Sequence, residues 1–379
     1  MACYHQMGHH SWNLLDEPGL GMYSGAVLSP VNYDQPRIAR QIEGLRRREG
    51  FETIFDPQLY FPDTQRRRLR GWRYFPADVE TADFADEAWW DRVSESVAAT
   101  CVTLGCSAAC SPAVVARAFP DEYYVRLVYA GNRFSECLAD GTVSPIQTGI
   151  ASLVELSRPG RALEVATILS RTAAQRVYLV LVGETAPRRE ISDPEVLKGA
   201  MRLISALEQA GLSVLVGFAS SDLLLWKAAG ASSCATGKYF NLRRFTRSRF
   251  AEPEEGGGQL PYWFEESLLA FLRDSDLVRV MRHGPLSDAS QRNPFGQTIL
   301  QRIEAGNPWL GLGWRQYMYW FADAERRVAA GDVDVGSLLA SAERRWLEME
   351  DASILMADPR NDGGWLRAWR RALVEYSGH

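Results

Sequence analysis

Lysine is scarce in this 379-residue sequence: Lys198, Lys227 and Lys238 are the only lysines among 42 basic residues. The others are arginines, which favour bidentate contacts with carboxylates and phosphates. The formal net charge is −5, so the whole molecule lacks the positive field that holds proteins on nucleic acid or on anionic membranes. Any such contact must come from a local patch. Two clusters of arginines qualify: Arg66, Arg67, Arg68 and Arg70, and Arg243, Arg244, Arg247 and Arg249.

Cysteine is sparse as well, and long apolar runs are missing. Six cysteines are spread over the chain, and Cys101, Cys106 and Cys110 lack the second pair or nearby histidine of a structural zinc site. No apolar run approaches the roughly 20 residues that span a bilayer, and no signal-peptide pattern is present. We therefore expect a cytoplasmic protein with reduced thiols and no membrane association.

Three common nucleotide and nucleophile motifs are also missing. The sequence contains no G-x-S-x-G elbow, no G-x-G-x-x-G fingerprint and no Walker spacing. These absences argue against an α/β-hydrolase, a dinucleotide-binding domain and NTP hydrolysis. They leave the cofactor, if any, unknown.

The pattern that is present is an alternation of short apolar runs with helical stretches, which is typical of parallel βα architecture. We predict seven strands before residue 240, at residues 26–29, 53–55, 107–110, 147–156, 177–182, 212–216 and 232–236. An eighth is predicted at residues 277–281, after a glycine-rich stretch at 256–258 and a helix over 262–273. Regular spacing favours an α/β fold of the (β/α)8 TIM-barrel type over an open sheet.

Beyond the barrel, the sequence becomes rich in tryptophan and arginine at helical spacings. We predict a barrel-like domain over residues 1–285 and an α-helical extension over 286–379. The tryptophans of the extension are interpreted as core packing in preference to a base-stacking platform. They are Trp309, Trp314, Trp320, Trp346, Trp365 and Trp369.

Catalytic groups of such barrels lie where strands end and βα loops begin, and this rule selects the candidate site. We predict acid–base roles for Asp56, Glu155 and Glu184. The predicted ligand-binding residues are Gln58, Tyr60, Ser220, Asp222, Lys238, Asn241, Arg243 and Arg244. Each acid alone is equally explained as a helix cap or a solvated loop charge.

Two features of this candidate set leave alternatives open. Lys238 follows Thr236-Gly237, where backbone amides and the lysine suit an anion, although a Schiff base or a structural ion pair also fits. His5, His9 and His10 form an H-x-x-x-H-H cluster, but Gly8 argues against the helix that would align them. No metal site is predicted. Metal-dependent hydrolysis by Asp56, Glu155, Glu184 and these histidines stays as a further alternative.

One part of the chain resembles the late barrel region of tRNA-guanine transglycosylases. The resemblance rests on residues 216–225, on Ala228-Ala229-Gly230, and on the chain leading to Thr236 and Arg243; Asp56-Pro57-Gln58 falls where that family has a base-recognising turn. It implies a barrel whose rim binds a nucleobase. Two departures are clear: Cys234 and Ala235 stand where the nucleophilic aspartate would fall, and the family's zinc ligands are missing. A covalent aspartyl–sugar intermediate is therefore not expected.

These observations lead to two hypotheses of different kinds. The first is an enzyme, glycosyltransferase-like or hydrolytic, that acts on a nucleobase, nucleotide or nucleic acid at an anion-binding rim, with transglycosylase-like or related base and sugar chemistry. The second is a catalytically degenerate barrel that serves as a scaffold and presents its C-terminal helices to a protein or nucleic-acid partner. A rim of carboxylates and a lysine favours the enzyme, whereas a rim filled by apolar side chains favours the scaffold.

Overall fold

The structure is a computed structural model that describes residues 2–252 and 259–378. Eight parallel strands pair in chain order, and the eighth pairs with the first, so the sheet closes into a barrel. This confirms the predicted (β/α)8 fold. The barrel strands are β1 (Ala2–Gln6), β2 (Tyr23–Leu28), β3 (Glu52–Phe55), β4 (Ala108–Cys110), β5 (Ser144–Ser152), β6 (Arg176–Val182), β7 (Ser213–Val216) and β8 (Ser233–Thr236).

The seven strands predicted before residue 240 correspond to β2–β8, and the predicted eighth strand is wrong. Residues 277–281 lie in a helix, Asp274–His283, in which Leu277 and Val280 are buried at the i, i+3 spacing of one helix face. The missing strand is β1, at the start of the chain. Its sequence conceals it because His5 and Gln6 are polar, yet both are buried.

The helices alternate with the strands up to β8 and then continue alone. In chain order they are α1 (Trp12–Leu15), α2 (Gln35–Leu45), α3 (Arg67–Arg70), α4 (Glu87–Leu104), α5 (Asp121–Cys137), α6 (Leu153–Leu156), α7 (Arg161–Leu169), α8 (Pro194–Gln209), α9 (Leu223–Ala228), α10 (Asp274–His283), α11 (Asp288–Gln291), α12 (Gly296–Glu304), α13 (Leu310–Ala329), α14 (Val335–Asp351) and α15 (Trp365–Ser377). No helix of the described residues combines the length and apolarity needed to cross a membrane.

A hairpin replaces the helix predicted over residues 262–273. Strands β9 (Trp263–Glu265) and β10 (Ala270–Leu272) pair antiparallel, and Leu269 in the turn has a positive φ of 48°. Side chains on both faces of β9 are buried, so its sequence lacks the alternation that identifies a strand. The glycine-rich stretch at residues 256–258 lies outside the described residues.

The C-terminal helices are present, and they pack on the barrel through their aromatic side chains. Trp320, Trp346 and Trp369 are buried, and each indole N–H donates to a barrel-side or hairpin acceptor: Glu266 Oε2 at 2.8 Å, Leu268 O at 2.9 Å and Ile191 O at 2.8 Å, respectively. These contacts support core packing as the role of these tryptophans. The proposed boundary between residues 285 and 286 stays a prediction.

An ion pair inside the barrel marks its amino-terminal floor. Arg176 Nη1 on β6 lies 2.6 Å from Glu52 Oε1 on β3, and the Tyr4 hydroxyl donates to Glu52 Oε2 at 2.5 Å. Strands β3 and β6 are not neighbours, so these side chains meet across the interior. Side chains alternate between the two faces of a strand, so Gln6, Tyr178 and Asp56, which follow Tyr4, Arg176 and Glu52 by two, two and four positions, face the same interior. They lie nearer the carboxyl end of the barrel, where the candidate site lies.

Candidate functional site

The buried carboxylate of Asp56 is the centre of a polar network at the carboxyl end of the barrel. Asp56 follows β3 directly and is 1% exposed. Its Oδ1 accepts from the Gln58 backbone N–H at 3.0 Å. Its Oδ2 accepts from Gln58 Nε2 at 3.2 Å and from the Tyr60 hydroxyl at 2.9 Å. The structure therefore brings together three of the residues predicted for this loop.

The ionisation of Asp56 is shifted toward neutral pH. Burial raises the pKa of the Asp56 carboxyl from 3.8 to about 6, against the lowering effect of the hydrogen bonds from Gln58 and Tyr60 and of the nearby Arg249 charge. A group with a pKa near the working pH holds a proton part of the time and gives it up part of the time. Such a group suits general acid–base catalysis.

Arg249 joins this network from a distant part of the chain and was not among the predicted site residues. It is buried in a single turn of 3₁₀ helix, Arg247–Phe250, and donates to Ser29 Oγ at 3.0 Å and Met7 O at 3.3 Å. The Ser29 hydroxyl in turn donates to Gln58 Oε1 at 2.8 Å. Burial lowers the pKa of the Arg249 guanidinium to about 10, and its Nε has no partner in the described residues.

Two further side chains form the deeper part of the same site. The Tyr178 hydroxyl on β6 donates to Gln6 Oε1 on β1 at 2.9 Å, and both residues are fully buried. Burial raises the pKa of the Tyr178 phenol, and the neighbouring Asp56 charge raises it further. Gln6 Nε2 has no hydrogen-bond partner in the described part of the chain. The site thus contains two buried N–H donors, on Gln6 and Arg249, that no described residue uses.

A roof of aromatic rings covers Tyr60. The ring centroids of Phe245 and Phe250 lie 5.3 and 5.5 Å from that of Tyr60, and Phe218 packs on Phe245 at 5.3 Å. The mouth is therefore neither a rim of carboxylates and a lysine nor a rim filled by apolar side chains. Its polar side chains lie beneath an apolar cover. Such a cover excludes water and strengthens the electrostatic interactions below it.

Backbone strain is concentrated at this end of the barrel. Gln58, Phe218 and His10 have positive φ values of 51°, 55° and 52°, and they lie in the loops that follow β3, β7 and β1. A non-glycine residue in this region costs about 1–3 kcal/mol, and such residues cluster at functional sites. Gln58 and Phe218 belong to the network and to its roof.

Lys238 and the amino-terminal histidines lie beside this network without joining it. Lys238 Nζ donates to His10 O at 3.1 Å and lies 4.5 Å from the centroid of the Trp314 ring. Burial lowers the pKa of the Lys238 ammonium to about 8. His5 is buried near Tyr23, and burial lowers the pKa of its imidazole to about 3. His9 and His10 are exposed, with ring centroids 3.9 Å apart.

The arginines predicted to hold an anion are occupied by the protein. Arg244 Nη1 lies 3.2 Å from Asp222 Oδ2, and Arg244 Nη2 lies 3.2 Å from Glu190 Oε2. Arg243 donates to the backbone oxygens of Gly237 and Lys238, both at 2.8 Å, and lies 3.6 Å from the centroid of the Tyr317 ring.

Glu190, in the loop after β6, is a buried acid that the sequence analysis missed. Burial raises its pKa to about 7. The Ser220 backbone N–H donates to Asp222 Oδ1 at 2.8 Å. Asn241 Oδ1 has no hydrogen-bond partner in the described residues. A second, self-paired polar cluster therefore lies next to the Asp56 network.

The two other predicted acids do not meet Asp56. Glu184 follows β6, is exposed, and forms neither a salt bridge nor a side-chain hydrogen bond with the described residues. Glu155 pairs with Arg158 within one helical turn at 3.0 Å. In the part of the chain that the structure describes, no three acidic, histidine or cysteine side chains come close enough to hold a metal ion. The metal-dependent alternative is therefore not supported.

Comparisons with known proteins supply no family for this chain. No protein-family model matches it, and no curated protein is similar to it. Two solved structures of the carboxyl transferase domain of Rhizobium etli pyruvate carboxylase, one with 3-bromopyruvate and one a variant with pyruvate, are 10% and 9% identical, cover 87% and 86% of this chain, and have TM-scores of 0.38. Alignment covers 48% of each of those chains. A similarity this low carries no argument about activity, and neither structure is a tRNA-guanine transglycosylase.

Proposed function

We propose that this chain is an enzyme in which Asp56 exchanges a proton with a small planar ligand of the nucleobase or nucleotide class bound at the barrel mouth. The single observation that carries the proposal is the burial of Asp56, with a pKa of about 6, in a network that also contains unused N–H donors. Glu190 also has a raised pKa, but it is paired with Arg244, whereas Asp56 forms no salt bridge with the described residues. A buried carboxyl with a perturbed pKa and no ion-pair partner is a candidate for a functional role.

The arrangement of donors and acceptors supports a planar ligand. Gln6 Nε2 and Arg249 Nε are buried donors without a partner among the described residues, and Asp56 supplies an acceptor, or a donor when it is protonated. Alternating donors and acceptors along one edge are the chemistry of a nucleobase. The aromatic roof, which includes Phe245 and Phe250, adds ring faces on which such a ligand stacks.

The proposed reaction is proton transfer without a covalent enzyme intermediate. Cys234 takes the place of the aspartate nucleophile in the resemblance to tRNA-guanine transglycosylases, and its backbone N–H donates to Glu325 Oε1 on α13 at 3.2 Å. Its thiol is buried, and burial raises the thiol pKa further above its ordinary value. A thiol that stays protonated is a poor nucleophile. Asp56 therefore remains the reacting group of the proposal.

The test uses the full chain and ligands without phosphate. Thermal unfolding is measured with saturating free nucleobases and nucleosides, because a ligand that binds only the folded state raises the Tm. At least one compound should raise the Tm of the wild type, and Asp56→Asn should remove that shift. Asp63→Asn is the matched control, since Asp63 lies in the same loop with its side chain 68% exposed. A panel without any shift, or a shift retained in Asp56→Asn, would contradict the proposal.

A scaffold function is the second candidate, and two observations favour it. The aromatic roof closes over the mouth, and α14 and α15 expose apolar side chains, with Leu347 55% and Val374 70% accessible. A partner protein that docks on these helices should no longer co-purify with the Leu347→Asp and Val374→Asp variants. Val102→Asp on α4, where Val102 is 44% exposed, should retain it. Equal co-purification with all three variants would contradict the scaffold function.

A further inference from the structure

A cavity lies outside the barrel, at the carboxyl ends of the barrel strands. Its volume is about 610 Å³, and it opens between the loop after β6, the β9–β10 hairpin, residues 357–364 and Trp365, the first residue of α15. The Asp56 network does not contribute to its lining. The size is ordinary for a small-molecule site, which is typically about 300–1,000 Å³. We name this cavity the outer cleft.

Half-buried aromatic rings form one wall of the outer cleft. Phe240, Tyr262 and Phe271 all line it. The Phe240 ring meets the other two edge to face, at centroid distances of 5.3 Å to Tyr262 and 4.9 Å to Phe271. The Arg243 guanidinium lies over Phe240 and Phe271, 5.0 and 4.9 Å from their ring centroids. No cation of the described residues covers Tyr262, so its ring offers a face to a planar ligand.

The acidic side chains that line the outer cleft form ion pairs or hydrogen bonds within the protein. Asp358 pairs with Arg189 at 2.7 Å, Glu190 with Arg244 at 3.2 Å and Asp276 with Arg279 at 3.3 Å. Asp362 accepts from the Gly364 backbone N–H at 2.9 Å. The carboxylates that line the cleft are thus committed to contacts within the protein.

Three guanidinium groups on the lining contact no carboxylate of the described residues. Arg188 Nη1 donates to the Tyr262 hydroxyl at 2.8 Å. The guanidinium groups of Arg273 and Arg360 form neither salt bridges nor hydrogen bonds with the described residues, although the Arg360 backbone N–H donates to Asp358 Oδ1 at 3.1 Å. Arg188 lies in the loop after β6, Arg273 between β10 and α10, and Arg360 in the segment before α15. The cleft therefore brings together arginines that are distant in the sequence. Trp365, also on the lining and 8% exposed, has an indole N–H without a partner in the described residues.

We infer that the outer cleft binds a phosphomonoester that carries a planar ring, the chemistry of a nucleoside monophosphate. Guanidinium groups bind phosphate oxygens with paired, charge-assisted hydrogen bonds, and Arg188, Arg273 and Arg360 supply such groups. The aromatic wall supplies the surface for the ring. This site is separate from the Asp56 network and does not depend on the proposed function of that network. The sequence predicted an anion site at Arg243 and Arg244. We place the anion instead at Arg188, Arg273 and Arg360.

The experiment is calorimetric titration of the full chain with three probes: inorganic phosphate, ribose 5-phosphate and a purine nucleoside monophosphate. We expect saturable binding of all three, with the nucleotide at least tenfold tighter than phosphate because the ring adds its own contact. Arg273→Gln and Arg360→Gln should each weaken nucleotide binding by about tenfold or more, which is the effect expected of one lost charged hydrogen bond. Tyr262→Ala should remove the preference for the nucleotide and leave phosphate binding in place.

Arg282→Gln is the matched control, because Arg282 lies on α10, the helix that follows Arg273, is exposed, and lines a different cavity. Its affinity should equal that of the wild type. Asp56→Asn should also leave nucleotide binding in the outer cleft unchanged, which separates this inference from the proposed function. No saturable binding by the wild type, equal affinity for phosphate and nucleotide, or full affinity in Arg273→Gln and Arg360→Gln would each overturn the inference.

Discussion

The Tyr60 hydroxyl donates to Asp56 Oδ2 at 2.9 Å, inside a barrel mouth that aromatic rings close off from water. Both residues come from one loop, and neither has an exposed surface of any size. The hydrogen bond favours the charged carboxylate, but burial disfavours it more strongly. The net effect is a raised pKa for Asp56, which makes the stability of the folded protein depend on pH.

The first prediction concerns stability as a function of pH. The pKa of Asp56 is about 6 in the folded state against an ordinary value of 3.8. Between these pH values the folded state holds more protons, so the free energy of unfolding falls as the pH rises. Urea unfolding should show the wild type losing about 2 kcal/mol relative to Asp56→Asn between pH 4 and pH 7. Parallel pH profiles would contradict the raised pKa.

The second prediction concerns the room left for the Tyr178 phenol. A Cβ at Gly217 would lie 2.4 Å from the Tyr178 hydroxyl oxygen, and real atoms do not approach so closely. Gly217→Ala should therefore displace the phenol from Gln6 and cost about 1–3 kcal/mol of stability. Gly44→Ala is the control, because no atom lies within 4 Å of the added Cβ and Gly44 is helical. It should keep full stability; equal losses in both would contradict this account.

The third prediction concerns the cluster around Arg244. Its removal leaves Asp222 and Glu190 buried without their cation, and breaking such an arrangement costs about 3–5 kcal/mol. Arg244→Met should lose this amount in urea unfolding, and the loss should be larger at pH 8 than at pH 6 because protonation relieves the two acids. Arg247→Met removes an ion pair whose arginine is 73% exposed, and it should cost less than about 1 kcal/mol. A small, pH-independent loss in Arg244→Met would show that the pairing is weak.

Much of the fold was predictable from sequence, since apolar runs with regular helical spacers define β2–β8. The failures have a common cause. In β1 the polar side chains of His5 and Gln6 are buried, and in β9 all three side chains are buried, so neither segment shows the alternation of a half-exposed strand. Conversely, residues 277–281 look β-rich, although their buried positions follow helical spacing.

The candidate site contains contacts between residues close in sequence and contacts between residues far apart in sequence, and only the first kind could be expected from the sequence. Asp56, Gln58 and Tyr60 are close in sequence, and hydrogen bonds join their side chains within one loop. Arg249 and Ser29 are separated by 220 positions, and Tyr178 and Gln6 by 172. Only closure of the barrel brings such pairs together, and a single sequence carries no signal for it. Arg249 was noticed as part of a cluster, but its neighbours there point elsewhere.

The ionisation of Asp56 is observable by NMR. In protein labelled with ¹³C at the aspartate carboxyl carbons, Asp56→Asn identifies the resonance of this residue. We expect a midpoint near pH 6 for that resonance, and a change in the midpoint when a saturating nucleobase or nucleoside that raises the Tm is added. A midpoint near pH 4 that no such compound changes would contradict the assignment of Asp56 as the proton-transferring group.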